Sequence, residues 1–207
     1  MKIKHTMLMI LSLTLISGVK LMAIEEAKYE SILKDGSFEV RNYQSYILAE
    51  VDIAGDMEDA SSQAFRPLFN YISGSNQSQA KIAMTTPVSQ EQASEKISMT
   101  SPVSQERSGD KWAISFMMPA TFTMSTIPTP TDDRVKIREV PGRQVAIIKY
   151  SGRWTESGYL SHKEKLEKWI HNEGLIIEGP AVWARFNAPY TPWFLRRNEV
   201  QIPVTSP

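Results

Sequence analysis

The order strand, strand, glycine and helix occurs twice in this chain, and the repeat constrains its fold more than any other feature of the sequence. In the first copy, residues 38–41 and 46–53 have the alternation typical of strands, and residues 57–73 have helical spacing after Gly55. In the second copy, strands at 135–138 and 145–150 precede Gly152 and a helix at 155–172. The two glycines are 97 residues apart.

The same offset relates the two predicted helices. Phe65, Phe69 and Ile72 lie at i, i+4 and i+7 and so share one helix face. In the second helix, the residues 97 positions later are His162, Leu166 and Trp169. We therefore expect the two helices to present matching faces.

Further strands are predicted after each helix, at 81–87, 96–102 and 112–118 in the first half and at 181–188 and 199–204 in the second. A unit of under about 100 residues would have only a small core of its own. This favours one antiparallel sheet, curved or closed, with two helices packed on it, over two independent domains. The predicted class is α+β, with halves at about 38–119 and 135–204.

A shorter repeat lies inside the first half. The segment KIAMTTPVSQE begins at Lys81, and KISMTSPVSQE follows 15 residues later at Lys96. Because proline interrupts ladder pairing after each predicted strand, we expect a hairpin with a polar loop at 92–95. We interpret Met84 and Met99 as core residues rather than thioether metal ligands.

Residues 1–23 have the pattern of an export signal. Lys2 and Lys4 precede a 13-residue, mostly apolar run at 7–19, which is short of the roughly 20 residues that span a membrane. We predict cleavage after Ala23, a mature single domain at 24–207, and a periplasmic or secreted location. The alternative is an uncleaved N-terminal membrane anchor.

The composition excludes several classes of function. Basic and acidic residues number 23 each, which argues against a nucleic-acid partner recognised through a basic surface. The chain has no cysteine, so disulfides, thiolate metal sites and cysteine nucleophiles are ruled out. It has three histidines, one of them in the predicted signal, so a site of three histidines cannot be built in the mature chain. We also expect no stable membrane insertion after the signal is removed.

Several motifs together resemble the SOUL heme-binding protein family. They are MTTPV at 84–88, MTSPV at 99–103, a strand from Trp112 to Pro119, and RRNEV at 196–200. The resemblance covers roughly residues 29–204. It implies a distorted antiparallel β-barrel with two helices, built from a duplicated β-α-β unit, which agrees with the repeat described above.

The resemblance also implies that heme or another tetrapyrrole binds at the first helix, without being required for folding. The matching apolar positions are Phe65, Phe69 and Ile72, whose side chains could stack on a porphyrin. Ser62 and Asn70 stand where basic partners for the propionates are found in the family, and Arg66 could substitute for them. Tyr190, in the loop before the last strand, could close the pocket.

His162 is interpreted as a structural histidine on the apolar side of the second helix, and its alternative role is an axial iron ligand. We predict no catalytic residue, since the common hydrolase, phosphate-loop and dinucleotide motifs do not occur in the sequence. The predicted function is an exported porphyrin carrier or buffer. The alternative is a hydrolase or a sensor that uses the same pocket for a small hydrophobic ligand, with Glu139 or Glu178 as the hydrolase carboxylate.

Overall fold

Two helices pack on a strongly curled antiparallel sheet in the computed structural model, which describes residues 24–79 and 93–207. In chain order the elements are β1 (Tyr29–Asp35), β2 (Phe38–Tyr43), β3 (Tyr46–Ala54), α1 (Met57–Ile72), β4 (Asn76–Gln77), β5 (Val103–Ser108), β6 (Lys111–Met117), β7 (Thr129–Pro130), β8 (Lys136–Val140), β9 (Arg143–Tyr150), α2 (Glu156–Asn172), β10 (Ile176–Ile177), β11 (Val182–Arg185), a 3₁₀ turn (Trp193–Leu195) and β12 (Asn198–Thr205).

The main sheet has the strand order β1-β2-β9-β12-β11-β5-β6-β3-β8, with β10 attached to β12. It curls into a half-barrel, so the predicted α+β class and the curved antiparallel sheet with two helices are confirmed. Apart from β1, the strand order is symmetric: β2, β9, β12 and β11 in one half of the sheet occupy the positions that β8, β3, β6 and β5 occupy in the other. A duplicated unit would produce this symmetry, and the duplication itself stays a prediction.

Both helices begin at side-chain caps and bury one face on the sheet. The carboxylate of Asp56 accepts a hydrogen bond from the amide of Asp59, and Thr155 caps α2 in the same way. On α1 the buried side is built from Ala60, Ala64 and Leu68, with Tyr71 and Ile72 at its end. The small alanines let the helix approach β3 and β6 closely, and the main hydrophobic core lies between them.

The predicted match between the helix faces is wrong. Phe65 and Phe69 are 42% and 46% exposed, whereas Leu166 and Trp169 are buried. The buried residues that correspond in the two helices differ by 98 positions rather than 97, as in Leu68 and Leu166. The prediction assumed that the largest apolar side chains of α1 face the core, whereas the small side chains of Ala60 and Ala64 do so.

The predicted strand at 96–102 is also wrong, since β5 begins at Val103, beyond Pro102. The segment is nevertheless held to the fold, because the amide of Ile97 donates to the carbonyl of Ile72 at 2.8 Å and Thr100 donates to the carbonyl of Met117. Met99, expected in the core, is exposed. The predicted strand at 81–87, Met84 and most of the predicted hairpin lie outside the described residues.

The first described residues are tied to the barrel. The side chain of Glu25 accepts a hydrogen bond from the amide of Ala120 at 2.8 Å, and its carbonyl accepts one from Ser101 at 2.9 Å. Glu26 forms an ion pair with Arg197, with its two oxygens 2.8 and 3.0 Å from Nη1. The residues directly after the predicted cleavage point are therefore part of the fold.

Candidate ligand-binding groove

A groove of about 410 Å³ runs between the first half of α1 and the end of β11. Its volume falls within the range of small-molecule sites. The residues that line it come from five parts of the chain: Met57, Glu58, Ser61, Ser62, Phe65, Val103, Trp154, Trp183, Arg185, Asn187 and Pro189.

Aromatic side chains form the apolar walls of the groove. Trp183 points out of β11 and is buried, and Trp154 lies just before α2 and is partly buried. Phe65 extends from the solvent-facing side of α1, where its ring meets the edge of Phe116 at a centroid distance of 5.6 Å. Flat aromatic surfaces of this kind suit a planar, apolar ligand.

Arg185 forms the polar end of the groove. Its Nη2 donates to the hydroxyl of Ser61, and its guanidinium carbon lies 5.0 Å from the ring centre of Trp183 and 5.4 Å from that of Trp154. Its Nε is buried and has no hydrogen-bond partner among the described residues. Burial lowers the pKa of Arg185 to about 10, so the side chain remains a cation at neutral pH.

The RRNEV run holds the loop that borders the groove. Arg196 donates to the carbonyls of Thr191 and Pro189, at 2.8 and 2.7 Å. The amide of Arg197 donates to the side chain of Asn187 at 2.6 Å. Arg196 also stacks over Trp154, with its guanidinium carbon 4.1 Å from the ring centre. These arginines do not line the groove; they position three residues that do, Trp154, Asn187 and Pro189.

The structure separates the residues that we predicted as one site. Phe65 lines the groove, and Phe69 stacks on Phe65 at 5.8 Å between centroids without lining it. Ile72 is part of the buried core. Arg66 is exposed on α1, and Tyr190 is 90% exposed beside the lining residue Pro189.

Sequence reasoning missed Trp154, Trp183 and Arg185. One signal could have found two of them, because Trp183 and Arg185 are two residues apart on a predicted strand and so point to the same face. Trp154 precedes the second helix, and no local pattern links it to the first helix.

His162 is not among the residues that line the groove. Its ring stacks on Tyr150 with centroids 3.7 Å apart, and Nδ1 donates to the carbonyl of Gly158 at 2.7 Å. The two carboxylates considered for a hydrolase also lie elsewhere. Glu139 borders a separate hollow of about 590 Å³ near the described N-terminus, and Glu178 borders a surface depression beside β12.

Residues 24–79 and 93–207 contain neither a metal-binding cluster nor a membrane-spanning helix. This part of the chain contains no group of three or more His, Cys, Asp or Glu side chains that could hold a metal ion. No helix in it has the length and apolar character needed to cross a membrane.

Residues 24–203 match the family model described as "SOUL heme-binding protein". The chain belongs to the SOUL family. Heme-binding protein 1 of Mus musculus and that of Xenopus tropicalis are each 27% identical to this SOUL protein over 169 residues, which is 81% of this chain and 84% of theirs.

Solved structures share the fold of this SOUL protein at low sequence identity. The C-terminal domain of EcmrR superimposes with a TM-score of 0.58 at 9% identity, covering 86% of this chain and 99% of that domain. A hydrolase from Listeria innocua superimposes with a TM-score of 0.53 at 13% identity, covering 84% of this chain and 94% of the other. At these identities the likeness extends to the fold alone.

Proposed function

We propose that this SOUL protein binds heme or a related porphyrin in the α1 groove and acts outside the cytoplasm as a carrier or buffer. The single observation that carries the binding site is the set of aromatic walls formed by Phe65, Trp154 and Trp183 around a groove of about 410 Å³. Membership of the heme-binding family, and relatives named heme-binding protein 1, support the choice of ligand.

The lining residues fit a porphyrin as cargo. Aromatic and apolar contacts bind the ring irrespective of its metal, and the cation of Arg185 matches the negative charge that porphyrins carry on their carboxylates. Heme iron is usually held in proteins by His, Cys, Tyr or Met. Met57 is the one residue of these types among the described lining residues, and it is buried. Binding through the ring and its carboxylates, without a strong iron bond, suits a molecule that must later release its cargo.

Export is supported by the sequence of residues 1–23. The basic start and the short apolar run have the pattern of a signal peptide. Glu25 and Glu26 already make contacts with the barrel, so cleavage after Ala23 leaves every contact of the described fold in place.

The test is a titration of purified residues 24–207 with hemin, followed by the Soret band and by tryptophan fluorescence. We expect saturable binding at a 1:1 ratio, with quenching because Trp154 and Trp183 line the groove. A Soret band that does not shift or saturate would overturn the proposal.

Two matched variants locate the site. Phe65→Asp places a charge on the wall of the groove and should weaken hemin binding by at least about tenfold, because an unpaired charge must then be desolvated. Phe69→Asp introduces the same charge four residues further along α1, outside the groove, and should weaken binding by less than about threefold. Equal losses in the two variants would place the ligand elsewhere on α1.

A further inference from the structure

Arg185 is partly buried and, unlike Arg41 and Arg197, has no acid beside it. Arg41 pairs with Glu39 and Glu199, and Arg197 pairs with Glu26 and Glu199. Within residues 24–79 and 93–207, Arg185 forms no ion pair. A partly desolvated cation without a counter-charge is costly, so its retention calls for a reason.

Arg185 is held firmly in this position by the sheet. It is the last residue of β11, paired with Val103 of β5 on one side and with Asn198 of β12 on the other. The two neighbouring indoles, Trp154 and Trp183, limit where the guanidinium can lie. One of its donors is used by Ser61, and no residue in the described part of the chain accepts a hydrogen bond from Nε.

We propose that Arg185 binds a carboxylate of the ligand and makes this groove selective for planar apolar molecules that carry one. The inference rests on the proposed function, since it concerns the same groove. A carboxylate matches the planar fork of a guanidinium, accepting from two N–H groups at once. Arg185 is the one cation among the lining residues that the structure describes, and the exposed carboxylate of Glu58 also borders the groove. This charge balance suits a single carboxylate better than a doubly charged phosphate.

The ligands for the test are protoporphyrin IX and its dimethyl ester, which have the same ring but differ in whether the two carboxylates are free. Both are titrated against residues 24–207 by tryptophan quenching at pH 7.5 and constant salt. We expect the free acid to bind at least about tenfold more tightly than the ester, as for a charged hydrogen bond. Equal affinities on the unmodified chain would overturn the inference without any variant being needed.

The variants assign the preference to one residue. Arg185→Gln should weaken binding of the free acid by at least about tenfold and remove the preference for it over the ester, and Arg185→Lys should keep part of the preference. Arg66→Gln is the matched control, because it removes the same charge from an exposed site on α1 and should keep the full preference. An Arg185→Gln protein that is folded by circular dichroism and still prefers the free acid would contradict the assignment.

Failure of the inference can be told apart from failure of the proposed function. If the free acid and the ester bind with equal affinity and Phe65→Asp weakens the binding of both, the role of Arg185 is overturned. The groove then remains the porphyrin site. Absence of binding by either ligand overturns both. A third ligand, palmitate, tests the planar requirement, and affinity equal to that of protoporphyrin would overturn the selectivity for planar molecules.

Discussion

The guanidinium of Arg41 donates to both carboxylate oxygens of Glu199, at 3.0 and 3.3 Å, and neither side chain is exposed to solvent. The pair joins β2 to β12 across β9, at the point where the RRNEV run enters the sheet. Glu199 also accepts hydrogen bonds from Arg197 and Gln201. The glutamate of the family motif is therefore a buried structural charge and not a ligand contact.

Replacing Glu199 with glutamine should destabilise the protein strongly. The change leaves Arg41 buried with only Glu39 as an acid partner, and breaking a buried pair from one side costs about 3 kcal/mol. Urea unfolding measures this. Glu164→Gln removes a carboxylate from an exposed pair with Lys168 on α2 and should leave the unfolding midpoint nearly unchanged. Similar losses in the two variants would contradict the structural role of Glu199.

Hemin and metal-free protoporphyrin should bind with affinities within about tenfold of each other, which is about 1.4 kcal/mol. The reason is that ring burial and carboxylate pairing do not depend on iron, and no described residue lining the groove is His, Cys or Tyr. Fluorescence-quenching titrations of both ligands at equal pH and salt measure the difference. Much tighter binding of hemin would indicate an iron ligand, and Met57, His162 and Tyr190 would be the first residues to replace.

Removing residues 24–27 should destabilise the fold. A chain that starts at Lys28 loses the two hydrogen bonds of Glu25 and the partly exposed ion pair between Glu26 and Arg197, together worth about 2 kcal/mol. The measurement is urea unfolding of residues 24–207 against residues 28–207. Equal midpoints and slopes for the two chains would show that these contacts add nothing to stability.

The stability of the protein should respond to the ionisation of Glu106. Burial raises the pKa of this carboxyl, although Arg138 and Arg143 lower it in part. Because the folded state binds the proton more tightly than the unfolded state, stability is favoured at low pH and falls as pH rises through the folded-state pKa. Glu106→Gln should therefore raise the melting temperature at pH 7 relative to the parent, with a smaller gain at pH 4. A gain that is equal at both pH values would rule out this ionisation as its cause.

Local pattern was enough to predict most of the fold. Short segments predict β2 by its alternation, β9 by its apolar run, and both helices by their caps and bounding glycines. The structure has these elements close to the predicted positions. β1 was missed, since all of its residues are exposed and it shows no alternation. The stretch at 96–102 looks like a strand in sequence but pairs with no neighbour as one, because its backbone hydrogen bonds go to α1 and to the start of the described chain.

The groove was predictable only in part. Phe65 was selected as a large apolar residue on the correct helix, but the same rule selected Ile72, which is in the core. The side of a helix that faces the sheet depends on its small residues as well as on its large apolar ones. In α1 the buried side contains Ala60 and Ala64. Trp154 and Arg185 approach each other only when the loop after β9 and the end of β11 are folded together. Their spacing along the chain therefore does not predict the contact.

The walls of the groove cover a ligand on the side of β11 and α1, while Phe65 keeps much of its ring in water. A porphyrin lying there would present part of its surface to any protein that approaches. Its transfer to an acceptor would begin while it is still held, by direct exchange between two binding surfaces. The dissociation rate would then increase with acceptor concentration, a kinetic behaviour that separates a delivery protein from a storage protein.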